Sequence, residues 1–87
     1  MSTRVGLFHP AIVAVAEERE RQEELFRLGH LRWTAAHPEC PDEKRLSALV
    51  EEVGEVARAL HDGESPERLR EELIQVAAVA VAWVESL

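Results

Sequence analysis

Residues 49–75, LVEEVGEVARALHDGESPERLREELIQ, decide how the chain folds. Two segments with helical periodicity lie on either side of Asp62-Gly63, a dipeptide that is typical of a turn. Ser65 and Pro66 then suit the N-cap and the first turn of a second helix. The stretch therefore predicts two antiparallel helices joined by a short turn.

Each of these two segments has a pair of polar side chains one helical turn apart. Glu52 and Glu55 form the first pair, and Glu72 and Gln75 form the second. Residues three apart project from one face of a helix with Cβ atoms roughly 5–6 Å apart, so their oxygens can share a cation. Two such pairs on facing helices predict an oxygen site for a hard divalent cation such as Mg²⁺. Solvated helix faces also have glutamates at this spacing, so the pattern alone is a hypothesis.

The apolar positions of the two segments predict the faces on which the helices pack. On the first segment the stripe consists of Leu46, Leu49, Val50, Val53, Ala57 and Leu60. On the second segment it consists of Leu69, Leu73, Val76, Ala80 and Trp83. We expect both stripes to form the core, with the polar pairs at their edges. Half-buried carboxylates are costly to keep ionised, so a cation or a basic partner is expected beside them.

The rest of the chain predicts one further helical region and a loop. Residues 11–36 have apolar side chains near the 3.6-residue spacing, and Gly29 marks either a bend or a split. Residues 37–42, HPECPD, predict a loop before the helix at about residues 41–61. The predicted fold class is therefore all-α, an antiparallel bundle of three to four helices.

The predicted domain organisation is an N-terminal arm over residues 1–10 and a single helical domain over residues 11–87. Residues 76–84 are apolar at every position, and one small chain cannot cover all sides of such a helix. We therefore expect the bundle to be completed by homo-oligomerisation through the last helix, as a dimer or a tetramer. The alternative is that this segment is the central helix of one bundle.

Composition limits the classes of partner. The 87 residues have a formal net charge of −7, which argues against a nucleic-acid polymer as the partner. No stretch is long and apolar enough to span a bilayer, so no membrane association is expected. Cys40 is the single cysteine, which excludes an intrachain disulfide and predicts a cytoplasmic location. Together with His37 it lacks the further ligands that a zinc site requires.

Several stretches resemble the MazG-like all-α nucleoside triphosphate pyrophosphohydrolases, whose signature is ExxE on one helix and ExxD on the next. Residues 52–55, EVGE, match the first half of that signature. Residues 72–75, ELIQ, match the second half except at the last position, where the family has Asp. Residues 18–22, ERERQ, and residues 76–85, VAAVAVAWVE, are similar to the opening and the end of some members. The resemblance extends from about Ile12 onward.

The resemblance implies that Mg²⁺, with Mn²⁺ as a second candidate, binds a nucleoside triphosphate while water attacks the α-phosphorus and releases pyrophosphate. The implied site residues are Glu51 as the base, Glu52, Glu55, Glu72 and Gln75 as metal ligands, and Arg19 and Gln22 as substrate contacts. Further candidate contacts with the phosphates or the base of the substrate are Arg58, Lys44 and Arg68. Two of these roles have structural alternatives. Glu51 equally suits a solvent-facing position, and Arg19 and Gln22 equally suit ion pairs or hydrogen bonds with neighbouring glutamates.

Gln75 leaves open whether the chain is an active enzyme. An amide oxygen can coordinate a divalent cation, but it supplies a dipole where a carboxylate supplies a full charge, so we expect weaker ion binding. The alternative function is a catalytically weakened helical module that binds a nucleotide or a protein partner. A third possibility is a structural coiled-coil adaptor, which would not require Glu52 or Glu55.

Overall fold

The computed structural model describes residues 9–87, and all of its regular structure is helical. Helix α1 spans His9–Arg27, α2 spans Asp42–His61 and α3 spans Pro66–Glu85. No strand occurs between residues 9 and 87, so this part of the chain has the predicted all-α class. Of the arm predicted for residues 1–10, residues 1–8 lie outside the described residues, and the last two residues begin α1.

Helices α2 and α3 form the predicted hairpin, with residues 62–65 between them. The side chain of Ser65 is the N-cap of α3, because its Oγ accepts a hydrogen bond from the backbone N–H of Arg68 at 3.1 Å. At the other end of the hairpin, Nε1 of Trp83 donates a hydrogen bond to Oδ1 of Asp42 at 3.2 Å. The end of α3 therefore lies beside the start of α2, and the two helices are antiparallel.

The region predicted as helical up to about residue 36 is split. Helix α1 ends at Arg27, and Gly29 has a φ of +82°, a backbone conformation that favours glycine. The irregular segment that follows is fixed to α2 by the buried side chain of Arg45. Its Nε and Nη2 donate hydrogen bonds to the carbonyl oxygens of Ala35 at 2.8 Å and His37 at 2.7 Å.

Helix α3 is central in the arrangement. It packs against both α1 and α2, whereas α1 and α2 contact each other little. The buried apolar residues of the described chain are small: Cys40, Ala59, Ala78 and Ala82. No large side chain between residues 9 and 87 is fully buried. The contacts of α3 favour the alternative that the last helix is the central helix of one bundle, and oligomerisation through it stays a prediction.

The prediction that the apolar stripe of α2 forms the core is wrong for the single chain. Four members of that stripe are 51–63% exposed: Leu46, Val50, Val53 and Leu60. The side of α2 that is covered in the single chain is the side with the glutamates, since Ala59 is buried and Glu52 and Glu55 are half-buried. The side of α2 that has the glutamates also has small alanines, and α3 packs closely against it. On α3, Leu73 is likewise 50% exposed.

Candidate functional site

An open acidic cleft of about 730 Å³ is formed by side chains of all three helices. Glu52 and Glu55 line it from α2, and Glu72 and Gln75 line it from α3. Glu18 lines it from α1. The four residues predicted as metal ligands therefore border one cleft, together with three further glutamates: Glu17, Glu18 and Glu71.

Helix geometry explains why these side chains come together. The two members of each predicted pair are three residues apart and share a helical face. On α2 this face turns toward α3, and on α3 it includes Glu72, which is buried, and Gln75, which is half-buried. Glu18 reaches the same place because α1 packs on α3. The hairpin thus supplies the four predicted ligands, and α1 supplies Glu18.

Four of the cleft carboxylates are paired with an arginine on their own helix. The pairs are Glu18 with Arg21 at 2.7 Å, Glu71 with Arg68 at 3.0 Å, Glu72 with Arg68 at 3.2 Å and Glu55 with Arg58 at 3.7 Å. The first pair is bidentate, because Nε of the arginine also donates a hydrogen bond to the second carboxylate oxygen at 2.9 Å. This hydrogen-bonded arginine is the main reason why the pKa of Glu18 is lowered, and burial opposes it. The amides of Gln75 and Gln22 lower the pKa of Glu18 further.

Glu52 has no compensating charge. Its pKa is raised, first by burial and then by the negative charges of Glu72, Glu51, Glu55 and Glu18, in that order. No cation and no hydrogen-bond donor among the described residues lowers it. The cleft therefore has uncompensated negative potential at Glu52, which a bound cation would relieve.

The chemistry of the donors fits a hard divalent cation, since carboxylate and amide oxygens are the ligands that Mg²⁺ accepts. The positions of these side chains in the structure are less favourable for holding an ion. Between residues 9 and 87, no three histidine, cysteine or acidic side chains are gathered closely enough to hold a metal ion. Arg21 and Arg68 are bound to two of the carboxylates. An ion would have to compete with these arginines, and metal binding stays a prediction.

The other predicted site residues do not line this cleft. Glu51 and Arg58 are exposed on α2. Arg19 is buried on α1, where its Nη1 donates a hydrogen bond to Oε1 of Gln22 at 2.9 Å. Its Nη2 pairs with Glu23 at 2.6 Å. These contacts favour the alternative in which the two polar residues of α1 bind neighbouring side chains.

Sequence reasoning missed several charged residues in the cleft, among them Glu17, Glu18, Arg21 and Arg70. Glu18 and Arg21 lie in the ERERQ stretch, three residues apart, which is the spacing of an ion pair on one helical face. That spacing indicated a pair, but nothing in the sequence indicated that α1 would place it opposite Glu72 and Gln75. Arg68, one of several candidate phosphate contacts, does line the cleft.

No helix in the described part of the chain has the length and apolar character needed to cross a membrane. Comparisons with protein-family models, with curated proteins and with solved structures give no match to this chain.

Proposed function

We propose that this chain is a Mg²⁺-dependent nucleoside triphosphate pyrophosphohydrolase that releases pyrophosphate from a ribo- or deoxyribonucleoside triphosphate. The observation that best supports the proposal is the cleft in which oxygen-bearing side chains of three helices surround Glu52. The pKa of that glutamate is raised by burial and by its acidic neighbours, so a bound cation would stabilise its ionised form. The resemblance of residues 52–55 and 72–75 to the ExxE and ExxD signature points to the same chemistry.

Glu52, Glu55, Glu72 and Gln75 would hold Mg²⁺ or Mn²⁺. The bound ion would bind the phosphate chain and stabilise the negative charge that develops as water attacks. If an ion takes over Glu72, Nη2 of Arg68 loses that partner, while the guanidinium stays at the edge of the same cleft through its contact with Glu71. Guanidinium groups bind phosphate oxygens in a bidentate manner, so this arginine is the strongest candidate for a contact with the triphosphate.

The remaining proposed roles come from the sequence. Glu51 is the proposed base, and as the exposed neighbour of Glu52 it is accessible to water. Arg58 is a candidate substrate contact because it is exposed one turn from Glu55. For Arg19 and Gln22, the contacts within α1 support a role in positioning the helix in place of direct binding of the substrate.

The test is to measure thermal stability and pyrophosphate release with Mg²⁺, with Mn²⁺ and with a chelator, over a panel of nucleoside triphosphates. We expect the ions to raise the melting temperature, and Glu55→Gln to abolish both that rise and the release of pyrophosphate. Glu43→Gln is the matched control, because Glu43 is an exposed glutamate at the start of α2 and outside the cleft. A parent chain that neither responds to the ions nor releases pyrophosphate would contradict the proposal.

The alternative is a catalytically weakened helical module that binds a nucleotide or a protein partner. Its support is Gln75, together with the finding that no three potential ligands of the described chain are gathered for an ion. The two functions differ in the effect of Gln75→Asp. Activity that appears only in this variant would show a weakened site, whereas activity in the parent that is lost in Glu55→Gln would favour the enzyme.

Homo-oligomerisation and a cytoplasmic location are also proposals. The first is supported by the small size of the buried apolar residues and by the exposed leucines and valines of α2 and α3. The second rests on Cys40, which is a free cysteine buried at 6% exposure.

A further inference from the structure

We propose that Glu18 is a positioning residue for Gln75. Its carboxylate holds the NH₂ end of the Gln75 amide, so that the amide oxygen points into the cleft as a ligand for the metal ion. The ligand role of Gln75 rests on the proposed function, whereas the contact between the two side chains does not. A residue of α1 thereby takes part in a site that the sequence assigns to the hairpin alone.

An amide side chain has two ends that act in opposite ways toward a cation. Its oxygen can coordinate a divalent ion, whereas its NH₂ group is a donor and repels one. Gln75 shares the cleft with Glu52 and Glu72, and both carboxylates attract the NH₂ end. A ligand role for the oxygen therefore requires a different acceptor that takes the NH₂ end away from these two glutamates.

Glu18 supplies this acceptor from α1. It lines the same cleft as Gln75, and α1 packs against α3. Its side chain is 10% exposed, so water competes little for its oxygens. A carboxylate has acceptors only, so an amide that contacts it turns its NH₂ end toward it. The pKa of Glu18 agrees with this contact: Arg21 lowers it most, burial opposes that effect, and the hydrogen bond from Gln75 lowers it further.

The hydrogen bonds within α1 explain why Glu18 acts through Gln75 and does not bind the ion itself. Nε and Nη2 of Arg21 donate to its two carboxylate oxygens at 2.9 Å and 2.7 Å, and Nε2 of Gln22 donates to Oε2 at 3.3 Å. A carboxylate has about four acceptor positions, so these bonds leave one, on Oε1. The amide of Gln75 takes that position, and the carboxylate then has none left for an ion.

The contact also offsets part of the disadvantage of an amide ligand. A carboxylate that accepts a hydrogen bond from a metal ligand fixes the orientation of that ligand and makes its donor atom more basic. Glu18 therefore contributes to ion binding indirectly, through the amide that it orients. Gln75 is neutral, and the charge that supports it stands behind it on another helix.

The first experiment tests the contact by NMR without any ion. Gln22 and Gln75 are the only side chains with an NH₂ amide, because the sequence has no asparagine. Each gives one pair of signals in a nitrogen–proton correlation spectrum, and Gln75→Glu identifies the pair that belongs to Gln75. We expect Glu18→Ala to shift this pair. Glu17→Ala removes the same charge from an exposed neighbour and should leave it in place. A Gln75 pair that Glu18→Ala does not move would overturn the proposal.

The second experiment measures the Mg²⁺ concentration that raises the melting temperature, a readout that requires no catalysis. Glu18→Gln should increase that concentration about tenfold, which is the usual cost of losing a partner that orients a metal ligand. Glu17→Gln is the matched control, because Glu17 lines the same cleft and has the same charge. It should increase the concentration by less than about threefold, through the loss of one screened charge.

Gln75→Glu separates a role through the amide from a general effect of charge. A glutamate at this position binds the ion with its own charge and has no NH₂ end to be held. In that background Glu18→Gln should change the required Mg²⁺ concentration by less than about threefold. A tenfold loss in both backgrounds would overturn the proposal, since Glu18 would then act without Gln75.

The same titration distinguishes failure of this proposal from failure of the proposed function. A parent chain that does not respond to the ion would overturn the proposed function and, with it, the ligand role of Gln75. A response that Glu55→Gln abolishes and Glu18→Gln leaves unchanged would overturn only the role of Glu18.

Discussion

Nε of Arg19 donates a hydrogen bond to Oε1 of Glu85 at 2.7 Å and so connects the middle of α1 to the last residue of α3. The arginine side chain is 9% exposed, whereas the glutamate side chain is 51% exposed. Two further guanidinium nitrogens bind Gln22 and Glu23 on α1. A buried arginine with three hydrogen bonds therefore helps to fix α1 against the end of α3.

Removing this arginine should destabilise the chain. In Arg19→Gln the hydrogen bonds to Glu23 and Glu85 are lost, and hydrogen bonds to charged groups contribute about 1.5–3 kcal/mol each to stability. Both acceptors keep access to water, so we expect a total loss of about 2 kcal/mol, below the sum of the two separate contributions. Urea denaturation followed by circular dichroism measures it. Arg27→Gln is the control, because Arg27 is exposed and pairs only with Glu24 on its own helix. Equal stability of the two variants would show that this network does not hold α1.

The raised pKa of Glu52 predicts a pH-dependent gain from its neutralisation. Because the pKa in the folded chain lies above the ordinary value of 4.5, the folded state binds the proton more tightly than the unfolded state does. The stabilising effect is complete below pH 4.5 and is lost as the pH rises through the folded pKa. Glu52→Gln lacks this loss, so its advantage over the parent should be absent at low pH and should grow toward neutrality.

At pH 7, without divalent ions, we expect Glu52→Gln to melt about 2–4 °C above the parent, a small shift because solvent screens the charge of a half-buried glutamate. Glu51→Gln removes the same charge from an exposed neighbour and should have a smaller effect. Thermal unfolding of the three proteins between pH 4 and pH 7 gives the comparison. An advantage of Glu52→Gln that is constant over this range would contradict the assigned pKa shift.

The hairpin was predictable because its signals are local. Ser65, Pro66 and the turn at Asp62-Gly63 act through their nearest neighbours, and the structure has them where the sequence placed them. The orientation of α2 was not predictable in the same way. Its helix has an apolar side and a side on which Glu52 and Glu55 alternate with alanines, and either side can face another helix. Which of them faces α3 depends on packing between segments that are distant in sequence.

Part of the cleft was predictable because the spacing of its polar pairs is also a local signal. The spacing of Glu52 with Glu55, and of Glu72 with Gln75, places each pair on one helical face, and the short turn brings the two faces together. The contribution of α1 depends on the segment between α1 and α2, which has no regular structure. Its path is set by Arg45, an interaction that no periodic pattern reveals.

Arg45 should therefore control the order of this segment. Its guanidinium binds the carbonyls of Ala35 and His37 and pairs with Asp42 at 2.7 Å. A lysine keeps the charge but cannot make three contacts in the fixed geometry of the arginine fork. We expect Arg45→Lys to lose about 1–2 kcal/mol, from hydrogen bonds to a charged donor. Hydrogen exchange should become faster at the amides of residues 34–40. Lys44→Arg is the control on the neighbouring exposed position, and unchanged exchange in Arg45→Lys would contradict the role of the arginine.

Arg68 should compete with the proposed metal ion for Glu72. Its guanidinium lies 3.2 Å from that carboxylate and 3.0 Å from Glu71, and its side chain is half exposed. In Arg68→Gln the competitor is absent, so without nucleotide the Mg²⁺ concentration needed to raise the melting temperature should fall. We expect a change on the order of threefold, because exposed ion pairs are weak. The same variant should bind a triphosphate less tightly at saturating Mg²⁺, since the guanidinium is the proposed phosphate contact.

The opposite direction of these two effects separates a specific role from a simple change of charge. Arg70→Gln is the matched control, because Arg70 also lines the cleft on α3 and has no ion pair within residues 9–87. It should make Mg²⁺ binding slightly easier through the loss of one positive charge, with a much smaller effect on KM for the triphosphate. Titration of the melting temperature with Mg²⁺, followed by measurement of KM for the triphosphate, tests both expectations. If Arg68→Gln and Arg70→Gln behave alike in both measurements, the contact between Arg68 and Glu72 has no part in ion or substrate binding.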